Sequence, residues 1–151
     1  MSTSLSIARS VLDRVHQHAK AGYPREVCGL LLSRGVNGSQ LIEQAVVVPN
    51  AAEPAQQHDR YAIDPTLLLH WERLASRGGL RVAGVYLSHP NAPARPSVLD
   101  LEAAWPGYAY LIVSVARGIP VTTAAWAIDT SSREFNELRF DIHLDEPEWV
   151  I

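Results

Sequence analysis

The stretch "GVYLSHPNAPARPSVLD", residues 84–100, sets an apolar run against a His-Pro pair, then a serine and an aspartate three apart. His89, Ser97 and Asp100 are the residue types of a metal site: imidazole and carboxylate both ligate zinc, and a hydroxyl can stabilise an oxyanion. Side chains alternate faces along a strand, so residues 87 and 89 point the same way and could aim at one ion. Position 87, however, is leucine. Pro90 ends the strand ladder, "NAPAR" turns, and "PSVLD" begins a helix that carries Asp100 on its first turn back toward the strand end. An ordinary structural account covers part of this: Ser97 as N-cap with an acid three residues on is a helix start, and Asp100 is favoured there by the helix dipole. The conjunction of His-Pro, helix start and aspartate at fixed offsets is what points to a site.

Other arrangements are weaker. Ser88, His89 and Asp100 include the types of a catalytic triad, but adjacent strand residues face opposite ways, so Ser88 and His89 do not readily meet. His16 and His18 stand two apart on a helix and share no face. His70 and His143 have no partner that spacing supplies, and their default is structural or solvated.

The elements that must position these residues read as alternating helices and strands. Leu5, Ile7, Ala8, Val11, Leu12 and Val15 recur at helical spacing and predict a first helix over 5–20, broken by "AGYP". "VCGLLLSRG" and "QLIEQAVVVPN" flank "VNGS", the composition of a hairpin with an Asn-Gly turn. "AAEPAQQHD" predicts a surface loop, and "RYAID" a short strand. Pro65 fits the first turn of a helix with Leu67, Leu68, Trp71, Leu74 and Ala75 on one face, ended by "RGG". "LRVAGVYLSH" is a buried strand, "SVLDLEAAW" a short helix, and "YAYLIVSVA", "PVTTAAWAI" and "EFNELRFDIHL" an antiparallel meander. The order implies an α/β (α+β) chain with a mixed β-sheet flanked by helices, one domain over residues 1–151.

Composition bounds the function. A length of 151 residues, 47% of them hydrophobic, suits one substantial core. A formal charge of -3 with dispersed basic residues favours neither nucleic acid nor an anionic membrane as partner. The lone Cys28 cannot form an internal disulfide, and "MSTSLSIARSVLDRV" offers no continuous apolar leader, so the expected setting is cytoplasmic. The most apolar window, "YAYLIVSVA", is far short of the roughly 20 residues of a spanning helix.

The same stretch resembles the signature of the JAMM, or MPN-plus, metalloproteases: His-x-His-Pro followed by Ser-x-x-Asp at this spacing. "YPREVCGLLL" is similar to the family's upstream segment, where a glutamate precedes a Cys-Gly-Leu-Leu strand, and "RYAIDP" and "WPGYAYLIVSV" resemble small bacterial members. The resemblance implies a JAMM/MPN-like fold with cytidine-deaminase-like layering, and zinc held through histidines and an aspartate. Carried over, His89 and Asp100 match metal ligands, Ser97 the serine that hydrogen-bonds the tetrahedral intermediate, and Glu26 the general base. The implied activity is hydrolysis of an amide or isopeptide bond at the C-terminus of a ubiquitin-like or sulfur-carrier protein, whose tail would lie extended at the groove.

Leu87 stands at the first zinc histidine and has no donor atom. Three explanations follow. His58 or Cys28 substitutes as ligand; or the chain is a metal-free MPN-type module that holds a ubiquitin-like tail without catalysis; or Leu87 is a recent or deliberate change, one base from a histidine codon. Joint retention of Glu26, His89, Ser97 and Asp100 argues against long drift.

Overall fold

Three segments in the middle of the sequence lack the polar alternation of a half-exposed strand because both their faces are covered. In the computed structural model, which describes residues 4–34, 41–129 and 131–144, the elements run β1 (Ser4–Ala8), α1 (Arg9–Gly22), β2 (Cys28–Ser33), β3 (Leu41–Val48), a 3-10 turn (Pro54–Gln56), α2 (Pro65–Arg77), β4 (Arg81–Pro90), α3 (Val98–Ala103), β5 (Ala109–Ala116), β6 (Ile119–Ile128) and β7 (Phe135–His143). The doubly covered strands are β2, β4 and β5. They are adjacent in a mixed sheet of order β1-β3-β2-β4-β5-β6-β7, which closes because β7 returns to pair with β1. β4 and β5 run parallel, as do β1 and its two neighbours; the other pairs are antiparallel.

Helices cover the two faces. Val11, Leu12, Val15 and Ala19 of α1 share a core cluster with Leu31, Tyr86, Leu111 and Val113. Leu68 and Ala75 of α2 share the other with Leu30, Leu32, Val85, Leu87 and Ile112. Tyr86 crosses the α1-facing side opposite Gly29, where a Cβ would lie 2.1 Å from its ring, so that position requires glycine. The Tyr86 hydroxyl then reaches His18 Nδ1 at 2.7 Å, and His16 Nε2 meets the Thr123 hydroxyl at 2.8 Å, so both histidines of α1 serve the structure.

The mixed sheet with flanking helices, the β2–β3 hairpin strands and the β5–β6–β7 meander agree with the sequence pattern; the expected Asn-Gly turn lies outside the described residues. Two expectations are corrected. Residues 4–8 form a strand, with Leu5 and Ile7 buried between half-exposed neighbours, and the helix starts only at Arg9. Five residue pairs with β7 decide this segment for period two. "RYAID" has Tyr61 and Ile63 buried but joins no ladder, because the Ala62 amide is taken by the Asn50 side chain at 3.1 Å. The expected apolar face of α2 is only partly covered, since Leu74 remains 41% exposed. Among the described residues no helix is long and apolar enough to cross a membrane.

Candidate functional site

The pairing of β2 with β4 builds the site. Cys28 lies opposite Leu87 and Gly29 opposite Tyr86 in antiparallel register, so Glu26, two residues before Cys28, falls opposite His89, two beyond Leu87. Two bonds carry the register past the strand end: the Ser88 amide donates to the Val27 carbonyl at 3.1 Å, and the Val27 amide to Ser88 Oγ at 2.9 Å. Ser88 thus faces away from His89, as alternation requires, and no triad forms.

Asp100 arrives from the other direction. Ser97 caps α3, accepting the Asp100 amide at 3.1 Å, while Asp100 Oδ2 accepts the Ser97 amide at 2.7 Å. The same Oδ2 lies 2.9 Å from His89 Nε2. His89 Nδ1 lies 2.7 Å from the Pro93 carbonyl, which can only accept, so Nδ1 carries a hydrogen. Nε2 therefore faces the carboxylate either as an imidazolium N–H or as a ligand that shares a cation with it. Burial alone would lower the pKa of His89, but its hydrogen bond to Asp100, that charge, the Pro93 carbonyl and Glu26 outweigh it and hold the imidazole above its ordinary value.

Glu26, His89 and Asp100 are all buried, and one ligating atom from each lies within 4.8 Å of the others. Oε1 of Glu26 and Oδ1 of Asp100 are buried without a hydrogen-bond partner. Buried polar atoms are nearly always paired, so two buried carboxyl groups that each keep an orphan oxygen, in one group with an imidazole, fit a divalent cation. The imidazole fixed through its far nitrogen by a backbone carbonyl is also the usual support of a ligating histidine. Leu87, fully buried in the α2-side core, adds nothing to this donor set.

Neither substitute expected from the sequence joins the group. Burial, then the Glu26 charge, pushes the Cys28 thiol up to about 12, and its sulfur lies 3.8 Å from the Val48 and Pro49 carbonyls. His58 is exposed and sits 3.7 Å from Asp59. It does line the cleft over the site, a space of about 420 Å³ between residues 58–59 and loop 90–97, with Glu26, His89, Pro93, Arg95 and Ser97.

The clamp that holds Glu26 was missed in the sequence. Asn50 Nδ2 donates to the Glu26 carbonyl at 3.0 Å and to the Arg60 carbonyl at 3.1 Å, while its Oδ1 accepts the Ala52 and Ala62 amides. The Glu26 amide donates to the Gln57 carbonyl at 2.6 Å, and Gln57 Nε2 donates back to the Asn50 and Ala52 carbonyls. The only local signal is an asparagine straight after the strand-ending Pro49. The opposite wall is also tied down: Ser114 Oγ donates to the Ala92 carbonyl, and Trp126 Nε1 to the Ala94 carbonyl.

Burial raises the Glu26 pKa from 4.5 to about 8; the His89 charge opposes this and the Asp100 charge adds to it. A raised carboxyl contributes stability that is complete below about pH 4.5 and is lost as pH climbs through about 8. The full difference is on the order of 5 kcal/mol. In metal-free buffer, Glu26→Gln should therefore be more stable than the parent by several kcal/mol at pH 8.5, with the gap closing toward pH 4.5. Urea denaturation across that range checks it, and parallel pH profiles would refute it.

A family model described as prokaryotic homologs of the JAB domain matches residues 8–129. The chain is 36% identical over 118 residues to a desampylase of Haloferax volcanii, covering 75% of this chain and 82% of that protein. It is 32% identical over 102 residues to a probable TtuB-protein conjugate cleaving protease of Thermus thermophilus, covering 67% and 64%. Its fold is similar to that of a JAB1/MPN domain protein from Archaeoglobus fulgidus, with a TM-score of 0.60, 20% identity, and coverage of 94% and 100%.

Proposed function

The chain belongs to the family of prokaryotic homologs of the JAB domain, and on that premise we propose that it is a JAMM-type metallopeptidase acting on an amide bond at the C-terminus of a ubiquitin-like or sulfur-carrier protein. The observation that carries this is the convergence of buried Glu26, His89 and Asp100 beneath an open cleft. Similarity to a desampylase and to a TtuB-conjugate cleaving protease supports the substrate class. The cleft lies over these residues, between residues 58–59 and loop 90–97, which Ser114 and Trp126 tie down.

His89 and Asp100 would hold zinc, whose contribution in this family of sites is to lower the pKa of a bound water to about 7. Glu26, with its carboxyl raised into the neutral range, is matched to taking a proton and returning it to a leaving amine. Ser97 Oγ accepts the Asp100 amide and keeps its own O–H free, at the edge of the cleft, to donate to an oxyanion. Loop 90–97 and the Asn50 clamp hold these groups still, so positioning is already in place before substrate arrives. Leu87 removes one donor and holds the rate down.

Incubation of the zinc-loaded protein with a ubiquitin-like protein carrying a C-terminal isopeptide-linked or peptide-linked extension tests the proposal. Release of the intact carrier, abolished by chelator and restored by zinc, is the expected result. A second function is favoured by Leu87, which offers no donor atom beside His89 and Asp100: a metal-free module that holds the tail. Undiminished tail binding by a metal-free, inactive preparation would replace the peptidase with that module.

A further inference from the structure

Three donors suffice for a catalytic metal, and this chain presents three without residue 87. Glu26 lies opposite His89 across the β2–β4 register, is 4% exposed, and keeps Oε1 unpartnered. Asp100 is 2% exposed, with Oδ1 unpartnered. Two desolvated carboxylates beside one imidazole form an arrangement that a single proton shared between His89 and Asp100 leaves half satisfied. The other orphan, the Tyr61 hydroxyl, is held neutral by burial and then by Tyr110 and the charges of Asp100, Cys28 and Glu26. Among the described residues this is the only cluster of three or more histidine, cysteine or acidic side chains close enough to share an ion.

We propose that in this chain Glu26 is itself a metal ligand, completing with His89 and Asp100 a site of one imidazole and two carboxylates for a divalent first-row cation. The inference rests on the peptidase function above and deepens it. A carboxylate bound to the metal cannot also serve as free base, so Leu87 slows the reaction by recruiting the base into the ligand set. Restoring an imidazole at position 87 should release Glu26 to its catalytic role. The oxygen-rich set also narrows the preference for zinc over manganese, since carboxylates suit harder ions than imidazoles do.

The test titrates zinc and Co²⁺ into the full chain, the Glu26→Gln, Leu87→His and Leu87→His/Glu26→Gln variants, with competing chelator for affinity and visible absorption of the cobalt form for donor change. Denaturation in metal-free buffer confirms that each is folded. One equivalent of zinc is expected in the parent, weakened more than ~100-fold by Glu26→Gln, because even loss of supporting partners costs roughly 10–100-fold. In the Leu87→His background, Glu26→Gln should weaken zinc by less than ~10-fold and leave the cobalt spectrum unchanged. Equal zinc affinity of parent and Glu26→Gln would overturn the inference while leaving the peptidase intact if Leu87→His still cleaves. No zinc in the folded parent would overturn it too. The expected metal pattern with no cleavage by Leu87→His would instead keep the ligand set and reject the peptidase.

Discussion

Leu87→His is expected to raise the zinc affinity of the chain, by exchanging the Glu26 carboxylate for an imidazole in the ligand set, and to raise peptidase activity with it. Leu87 is fully buried between Cys28 and Ile112 on the face that His89 shares, two residues further along β4. An imidazole there supplies the missing nitrogen and makes a set of two histidines, one aspartate and an open position. The same change should destabilise the metal-free protein by ~1–3 kcal/mol, because a well-packed leucine is exchanged for a ring whose polar atoms lack a partner. Zinc should reverse that order: at 100 times Kd it adds about 2.7 kcal/mol to a fold that alone binds it. Thermal melts of parent and variant in chelator and in zinc read both signs. A folded variant with no gain in zinc would mean that positions 87, 89 and 100 do not converge. A metal-free variant more stable than the parent would mean that the leucine strains its site.

The His89–Asp100 half of this site was legible because it is local: a strand end, a proline and a capped helix bring residues eleven apart together through rules that act within a few residues. Glu26 was not legible in that sense. Its place opposite His89 depends on the β2–β4 register, and the residues between them carry no sign of it, so only the family resemblance singled it out. The Asn50–Gln57 clamp is invisible for the same reason, since its bonds run to Glu26 and Arg60. In the fold, the buried strands and α2 followed from composition and Pro65, whereas β1 did not. Leu5, Ile7, Ala8 and Val11 fit a helical spacing, and only pairing with the distant β7 and β3 makes residues 4–8 a strand. Closure of the sheet through that β1–β7 pair is likewise a tertiary fact.

The last prediction concerns what holds the site when metal is absent. Asp100→Ala removes at once the acceptor for the Ser97 amide and the counter-charge of His89, which is 5% exposed in a site where Asp100 is 2% exposed. Breaking a buried pair from one side costs about 3–5 kcal/mol, because the remaining charge is left without compensation. In chelator at neutral pH, Asp100→Ala should lose that much by urea denaturation. The loss is more than the ~1 kcal/mol of a helix cap, and Ser97 Oγ still caps the Asp100-position amide in the variant. Asp100→Asn should lose less, since its carbonyl still accepts the Ser97 amide, yet it should bind zinc far more weakly than the parent. His89→Ala combined with Asp100→Ala should cost less than the two changes summed, because removing the ring removes the stranded charge. A cost below ~1 kcal/mol for Asp100→Ala, or strict additivity with His89→Ala, would show that the 2.9 Å contact is not an ion pair. The imidazole would then rest neutral beside Asp100.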